Sequence, residues 1–270
     1  MPLPELLEDA ASVRKLELMT RRIVNEVMAG EYHSTFRGTG MDFHEVREYA
    51  PGDDIRSIDW NVTARTGTPH IKRFVEEREL TVFFLVDVSA STLFGSVARR
   101  KRPLAAVVTA VLAFSVIRNN DRVGLMLFSD DVELFLRARK GRKHGLRVIT
   151  ELVTEPARKG TNITAALQTF NRLQRRKAVV FLVSDFQDTN YRTALSITNQ
   201  RHDVIAISIT DPREIEVPNV GLIDLEDAET GQRLLVDTSN RSVRREIAAV
   251  HAARRAELAR TLRQLKVDHI

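Results

Sequence analysis

The chain has 270 residues, a formal net charge of +5, 43% hydrophobic and 29% charged residues, and no cysteine. Such a balance fits a folded protein of one large domain, or one domain with a smaller addition, and argues against a disordered chain. Without a thiol, disulfides, thiolate catalysis, zinc–thiolate sites and iron–sulfur clusters are excluded.

Met1-Pro2-Leu3-Pro4-Glu5 offers neither a basic n-region nor an apolar h-region, which predicts no signal peptide. Residues 5–29 place Leu6, Ala10, Val13, Leu16, Ile23 and Val27 at roughly helical spacing before Gly30, predicting an amphipathic helix. An irregular stretch to about residue 72 follows, punctuated by Gly38, Gly40, Pro51-Gly52-Asp53, Gly67 and Pro69. It is too long for an idle loop, so it should carry short strands or pack on the main domain.

From residue 79 strands and helices alternate. Strand 80–87 leads to helix 98–118, strand 122–128, short strand 132–137 and helix 143–154. Helix 163–175, strand 178–184, helix 190–200 and strand 203–209 follow. This pattern predicts an α/β fold, a doubly wound and mostly parallel sheet with helices on both faces. The Ser129-Asp130-Asp131 turn makes 122–128 and 132–137 a hairpin, with 132–137 an antiparallel edge strand. Residues 220–237 alternate around Glu229-Thr230-Gly231-Gln232 as a second hairpin, and a long helix spans about 241–265. Lys266 to Ile270 reads as a strand just beginning. The organisation expected is thus residues 1–78 as an N-terminal helical and irregular extension packed on a main domain of residues 79–270.

The longest apolar stretch, Leu104 to Ile117, would form a helix of about 21 Å. That falls short of the roughly 30 Å hydrocarbon core of a bilayer. A buried helix, no membrane span and a cytoplasmic protein are predicted. Basic clusters at Arg99–Arg102, Arg137–Lys143, Arg172–Lys177 and along the last helix raise nucleic acid or an anionic membrane as partners. No aromatic residues are interleaved with them as a single-strand-binding groove requires, so they read as solvated faces.

The chemistry gathers at strand ends. Asp87, Ser89 and Ser91 form D-x-S-x-S where the run Thr81–Val86 stops, and Asp185 stands where Ala178–Val183 stops. Thr161 opens the predicted helix in Gly160-Thr161-Asn162. In open α/β sheets, ligands bind beyond the carboxyl ends of the strands. Carboxylates and hydroxyls without His or Cys suit a hard divalent cation, Mg²⁺ first, with Mn²⁺ or Ca²⁺ as alternatives. The competing reading makes Ser89, Ser91 and Thr161 helix caps and turn formers.

Hydrolytic readings fare worse. A haloacid-dehalogenase-type phosphotransferase would want a second carboxylate where Ser89 stands. His44-Glu45-Val46-Arg47-Glu48 lacks the second histidine of a zincin, no P-loop is present, and Ser184-Asp185 has no nearby histidine in sequence. No enzymatic activity is expected.

This arrangement resembles the metal-ion-dependent adhesion site of the von Willebrand factor A fold, with Asp87, Ser89, Ser91, Thr161 and Asp185 at the matching positions. The segments Gly40–Tyr49 and Pro51–Trp60, continued by Thr63-Ala64-Arg65 and Lys72–Arg78, resemble the bacterial family called domain of unknown function 58. That resemblance implies a von Willebrand factor A-like domain and a divalent-cation-dependent protein-binding role. Members tend to be encoded beside MoxR-type AAA+ ATPases, which implies such an ATPase, or its protein client, as partner. It also implies a further strand and an acidic, aromatic tail beyond the point where this chain stops. Asp53 to Arg78 alternates in charge and reads as an ion-pair network tying this segment to the sheet. Alternatively it is a docking surface with Trp60 as anchor and Arg56 and Arg65 beside it. Two other functions remain open: a metal-independent binder of nucleic acid or anionic membrane, and a cryptic Mg²⁺-dependent phosphohydrolase.

Overall fold

The computed structural model describes residues 42–75, 79–93, 101–152, 160–215, 217–226 and 232–270. The helix predicted over 5–29 lies outside them. The described residues belong to two compact units, one within Tyr32–Leu80 and one holding Thr81–Ile270.

In the first unit, β1 (Asp42–Glu48) pairs antiparallel with β2 (His70–Val75), with an irregularity between Phe43 and Glu45. Between them lie a 3₁₀ turn over Ile55–Ser57 and helix α1 (Trp60–Thr66). Two acidic residues here serve as caps. Asp54 accepts from the Arg56 amide at 3.0 Å. Asp59 accepts from the amides of Asn61 and Val62 at the start of α1. Gly67 closes α1 in the left-handed region, φ +78°, where a side chain would strain the backbone. Asp53, at the start of the charged run, is held from within the same unit by Arg47, whose guanidinium grips it through two bonds of 2.9 and 2.7 Å.

The second unit is built on a six-stranded sheet of order β10-β7-β6-β3-β4-β5. Its members are β3 (Thr81–Asp87), β4 (Arg122–Phe128), β5 (Val132–Arg139), β6 (Val179–Ser184), β7 (Asp203–Ser208) and the short β10 (Asp268–His269). All neighbours run parallel except β4 and β5, the expected antiparallel edge hairpin. Helices α2 (Lys101–Arg118), α3 (Arg142–Leu152), α4 (Ile163–Leu173) and α5 (Arg192–Arg201) cross between strands. A one-turn helix α6 (Pro212–Ile215), a separate hairpin β8 (Leu222–Glu226)–β9 (Arg233–Asp237) and the long α7 (Arg241–Gln264) complete it. The α/β, mostly parallel sheet is therefore as the alternation predicted.

Both faces of the sheet are buried, which is why β3, β4 and β6 are continuous apolar runs rather than alternating ones. Phe83, Leu85, Val180 and Leu182 face a core shared with Ile163, Leu167 and Phe170 of α4, Leu195 of α5 and Leu262 of α7. Phe84 stacks on Phe181, centroids 5.2 Å apart, within the same parallel pair of strands. Gly124 pairs with Phe83, and a Cβ there would lie 2.3 Å from the Phe83 ring. Its missing side chain is the room the ring fills. Among the described residues, no helix is long and apolar enough to cross a membrane.

Candidate functional site

The central strand β3 ends between β4 and β6, and the register aligns Val86 with Val183. One residue further on, Asp87 faces Ser184. Asp87 is 1% exposed, and both of its carboxylate oxygens accept hydrogen bonds. Oδ1 takes the Ser89 amide at 2.9 Å, and Oδ2 takes the Ser184 hydroxyl at 2.6 Å. Ser184 in turn accepts from the Phe186 amide at 3.0 Å, so one hydroxyl ties the ends of β3 and β6 together. Phe186 holds φ +54°, a left-handed conformation unusual for an aromatic residue, directly after Asp185. Its buried ring meets Tyr191 edge-on at 5.7 Å, which locks the turn.

After β3 the chain folds back on itself. Thr92 bonds the Ser89 carbonyl through both its amide (3.2 Å) and its hydroxyl (2.6 Å). This presents the hydroxyls of Ser89 and Ser91 side by side, 3.0 Å apart and buried. That spacing can be tested against a cation. Two adjacent ligands of an octahedral Mg²⁺ at 2.0–2.1 Å stand about 2.9 Å apart. The hydroxyl pair, with the Asp87 carboxylate beside it, fits a small hard cation on donor chemistry and on spacing.

Burial pushes the Asp87 carboxyl up to about 6, and the neighbouring Asp185 charge adds to the rise. The bonds from Ser184 and Ser89 oppose it without cancelling it. Negative charge here is therefore costly, and a nearby cation would relieve that cost.

Asp185 follows β6 as predicted, with its side chain 2% exposed. Thr161 lies half-buried in the loop before α4. Asn162 donates to the Ser129 carbonyl at the end of β4 (2.7 Å), and Ile163 donates to Asp188 just past β6 (2.9 Å). The loop thus spans from the end of β4 to the end of β6, across the end of β3. The Asn162 side chain caps α4 at the Ala165 amide, so capping falls to Asn162. The five predicted oxygen ligands accordingly come from segments gathered at one edge of the sheet.

Two participants escaped the sequence reading. Lys101 sits in the Arg99–Arg102 cluster, read as a solvated face, yet its side chain is 2% exposed. Its ammonium lies 3.1 Å from Asp185 Oδ2 and also pairs with Glu214 of α6. Arg102 is buried as well, so the solvated-face reading fails at both positions, where each side chain turns inward from α2. Ser184 is the other, weighed only as a hydrolase nucleophile, because a serine ending an apolar run does not show which strand end it will bond. The groups expected for partner docking behave as surface: Trp60 is 68% exposed, and Arg56 and Arg65 are exposed. The His44–Glu48 stretch belongs to strand β1, which removes the helix a zincin motif needs.

Residues 45–257 match the family model described as Protein of unknown function DUF58. An uncharacterized protein of Mycobacterium tuberculosis, Rv1480, is 35% identical over 260 residues, covering 94% of this chain and 81% of its own length. YeaD of Bacillus subtilis, also uncharacterized, is 31% identical over 90 residues, 33% of this chain and 21% of that protein. Among solved structures, an aerotolerance-related membrane protein of Bacteroides fragilis is similar with a TM-score of 0.45. It has 19% identity and covers 63% of this chain and 87% of that one. BatB of Bacteroides thetaiotaomicron has a TM-score of 0.44, 17% identity, and coverage of 69% and 98%. Likeness at this level carries nothing about function.

Proposed function

The chain belongs to the DUF58 family, and we propose that it is a divalent-cation-dependent protein-binding module of von Willebrand factor A type. The observation that carries this reading is the buried Asp87 carboxylate, held from two sides, beside two hydroxyls 3.0 Å apart. Ser89, Ser91 and Thr161 would hold Mg²⁺ through their hydroxyls, while Asp87 and Asp185 would hold its coordinated waters. Mn²⁺ and Ca²⁺ are alternatives of the same oxygen-seeking class. When bound, the ion supplies a positive bridge that an acidic side chain of a partner can complete.

The protein's own residues keep this bridge in place. Ser184 fixes the carboxylate, and the Ser89–Thr92 turn fixes the hydroxyls. The donor set includes no histidine, and the Ser184 hydroxyl bonded to the Asp87 carboxylate is buried and already accepts from the Phe186 amide, so binding is a better reading than hydrolysis. From the family resemblance, the partner is a MoxR-type AAA+ ATPase or its client, with the protein as adaptor in the cytoplasm.

The test is capture of a MoxR-type ATPase from the same cell on the immobilised protein, in Mg²⁺ and in EDTA. Capture should need Mg²⁺ and vanish for Asp87→Ala, whose circular dichroism should stay that of the parent. Capture undiminished in EDTA would sink the mechanism. Capture that collapses with salt but ignores chelator would point to the basic faces instead.

A further inference from the structure

Lys101 does more than fill space. A buried ammonium is tolerated only when it is paired and hydrogen-bonded, and the surrounding residues give Lys101 two carboxylates from two different segments. Asp185 follows β6, and Glu214 lies in α6 beyond β7. Asp185 is also a member of the candidate cation site, and its charge is felt at Asp87. A fixed positive charge therefore already rests on one of the two carboxylates that a divalent cation would use. Asp185 and Glu214 both line a cleft of about 450 Å³, together with His251, Arg254 and Thr261 of α7. Both partners of the lysine thus border a cleft, although the Asp185 side chain itself is only 2% exposed.

We propose that Lys101 competes with the divalent cation for Asp185, so that binding of the ion moves the ammonium wholly onto Glu214. Lys101 sets the threshold concentration at which the site fills, and Glu214 is the anchor that makes the exchange possible. This rests on the cation-binding reading above. A lysine suits the part better than an arginine, since its compact ammonium on a flexible stem can shift between two single oxygens.

The two carboxylates predict opposite behaviour from two variants. Calorimetric titration with MgCl₂ and with MnCl₂ at pH 7.5 reads it directly, with urea melts confirming the fold. Lys101→Met should bind the cation at least about tenfold tighter than the parent, about 1.4 kcal/mol. Lys101→Arg, which keeps the charge, should stay within about threefold of the parent, well under 1 kcal/mol. Glu214→Gln should bind about tenfold more weakly, because the second carboxylate that draws the ammonium away from Asp185 has lost its charge.

Equal affinity of the parent and a folded Lys101→Met overturns the competition and leaves the cation site standing. Should Lys101→Met fail to fold, Glu214→Gln decides, and unchanged affinity there overturns the proposal. No binding by the parent or by any variant removes the cation reading itself, and this inference with it.

Discussion

Two buried polar groups of the α/β unit show what distinguishes a site from a core. Asp87, at the C-terminal end of β3, has both carboxylate oxygens bonded, and hydroxyls and a second carboxylate are gathered around it. His202, just before β7 at the sheet's other end, is 2% exposed, and neither ring nitrogen has a hydrogen-bond partner among the described residues. Its ring lies against Phe170, centroids 5.0 Å apart. Both groups carry a desolvation cost, which raises the ionisation point of the acid and lowers that of the base. Only one of them has surroundings that could receive a ligand. Burial of a titratable group therefore says little alone; the partners facing it decide whether it is a receptor or packing.

The sharpest way to break this contrast is the pH dependence of stability, because the two groups slope in opposite directions. Asp87 holds its proton more tightly in the folded state, so the stability it allows is fully present near pH 4 and falls as pH rises to about 6. The total is roughly 3 kcal/mol for a carboxyl moved from its ordinary range up to about 6. Asp87→Asn should therefore gain on the parent by about that amount between pH 4 and pH 8 in metal-free urea melts. A constant difference between the two across that range would contradict the account.

Removing the Ser184 hydroxyl tests the same group from its partner. Ser184→Ala should cost about 1–3 kcal/mol at pH 8, since it strips a bond from a buried carboxylate. The cost should shrink at pH 4, where Asp87 is neutral. A pH-independent loss would mean that Ser184 matters only for its bond with Phe186.

His202 should show the reverse slope. Its folded ionisation is depressed, so its contribution is intact above the unfolded value of about 6.5 and is lost as pH falls below it. His202→Leu should resist acid better than the parent and leave cation binding unchanged. A change in cation affinity would undo the division drawn here. The smallest effect belongs to the exposed surface: Trp60→Ala should alter stability by no more than about 0.5 kcal/mol. If Trp60 anchors the partner, ATPase capture should nonetheless drop.

Much of this architecture is legible in the residues. Runs such as Thr81–Asp87 and Val179–Ser184 are apolar on both faces, which only a sheet covered on both sides explains. Their ends then locate Asp87 and Asp185. The strands of the first unit are harder to see, because Asp42–Glu48 mixes charge with apolar residues without a clean alternation. Lys101 is hidden for another reason: within a run of consecutive basic residues nothing local tells that its side chain, like that of Arg102, turns inward. Glu214 depends on a one-turn helix after Pro212, and the role of Ser184 on a register between distant strands, neither of which leaves a periodic signal.

If the end of β3 is a receptor for a divalent cation, direct titration shows it most simply. Calorimetry of the whole chain with Mn²⁺ or Mg²⁺ at pH 7.5 should show one ion bound per chain, with affinity lost by about a hundredfold or more in Asp87→Asn, a difference of about 2.7 kcal/mol. No heat of binding from the parent, or equal affinity in the variant, would contradict it.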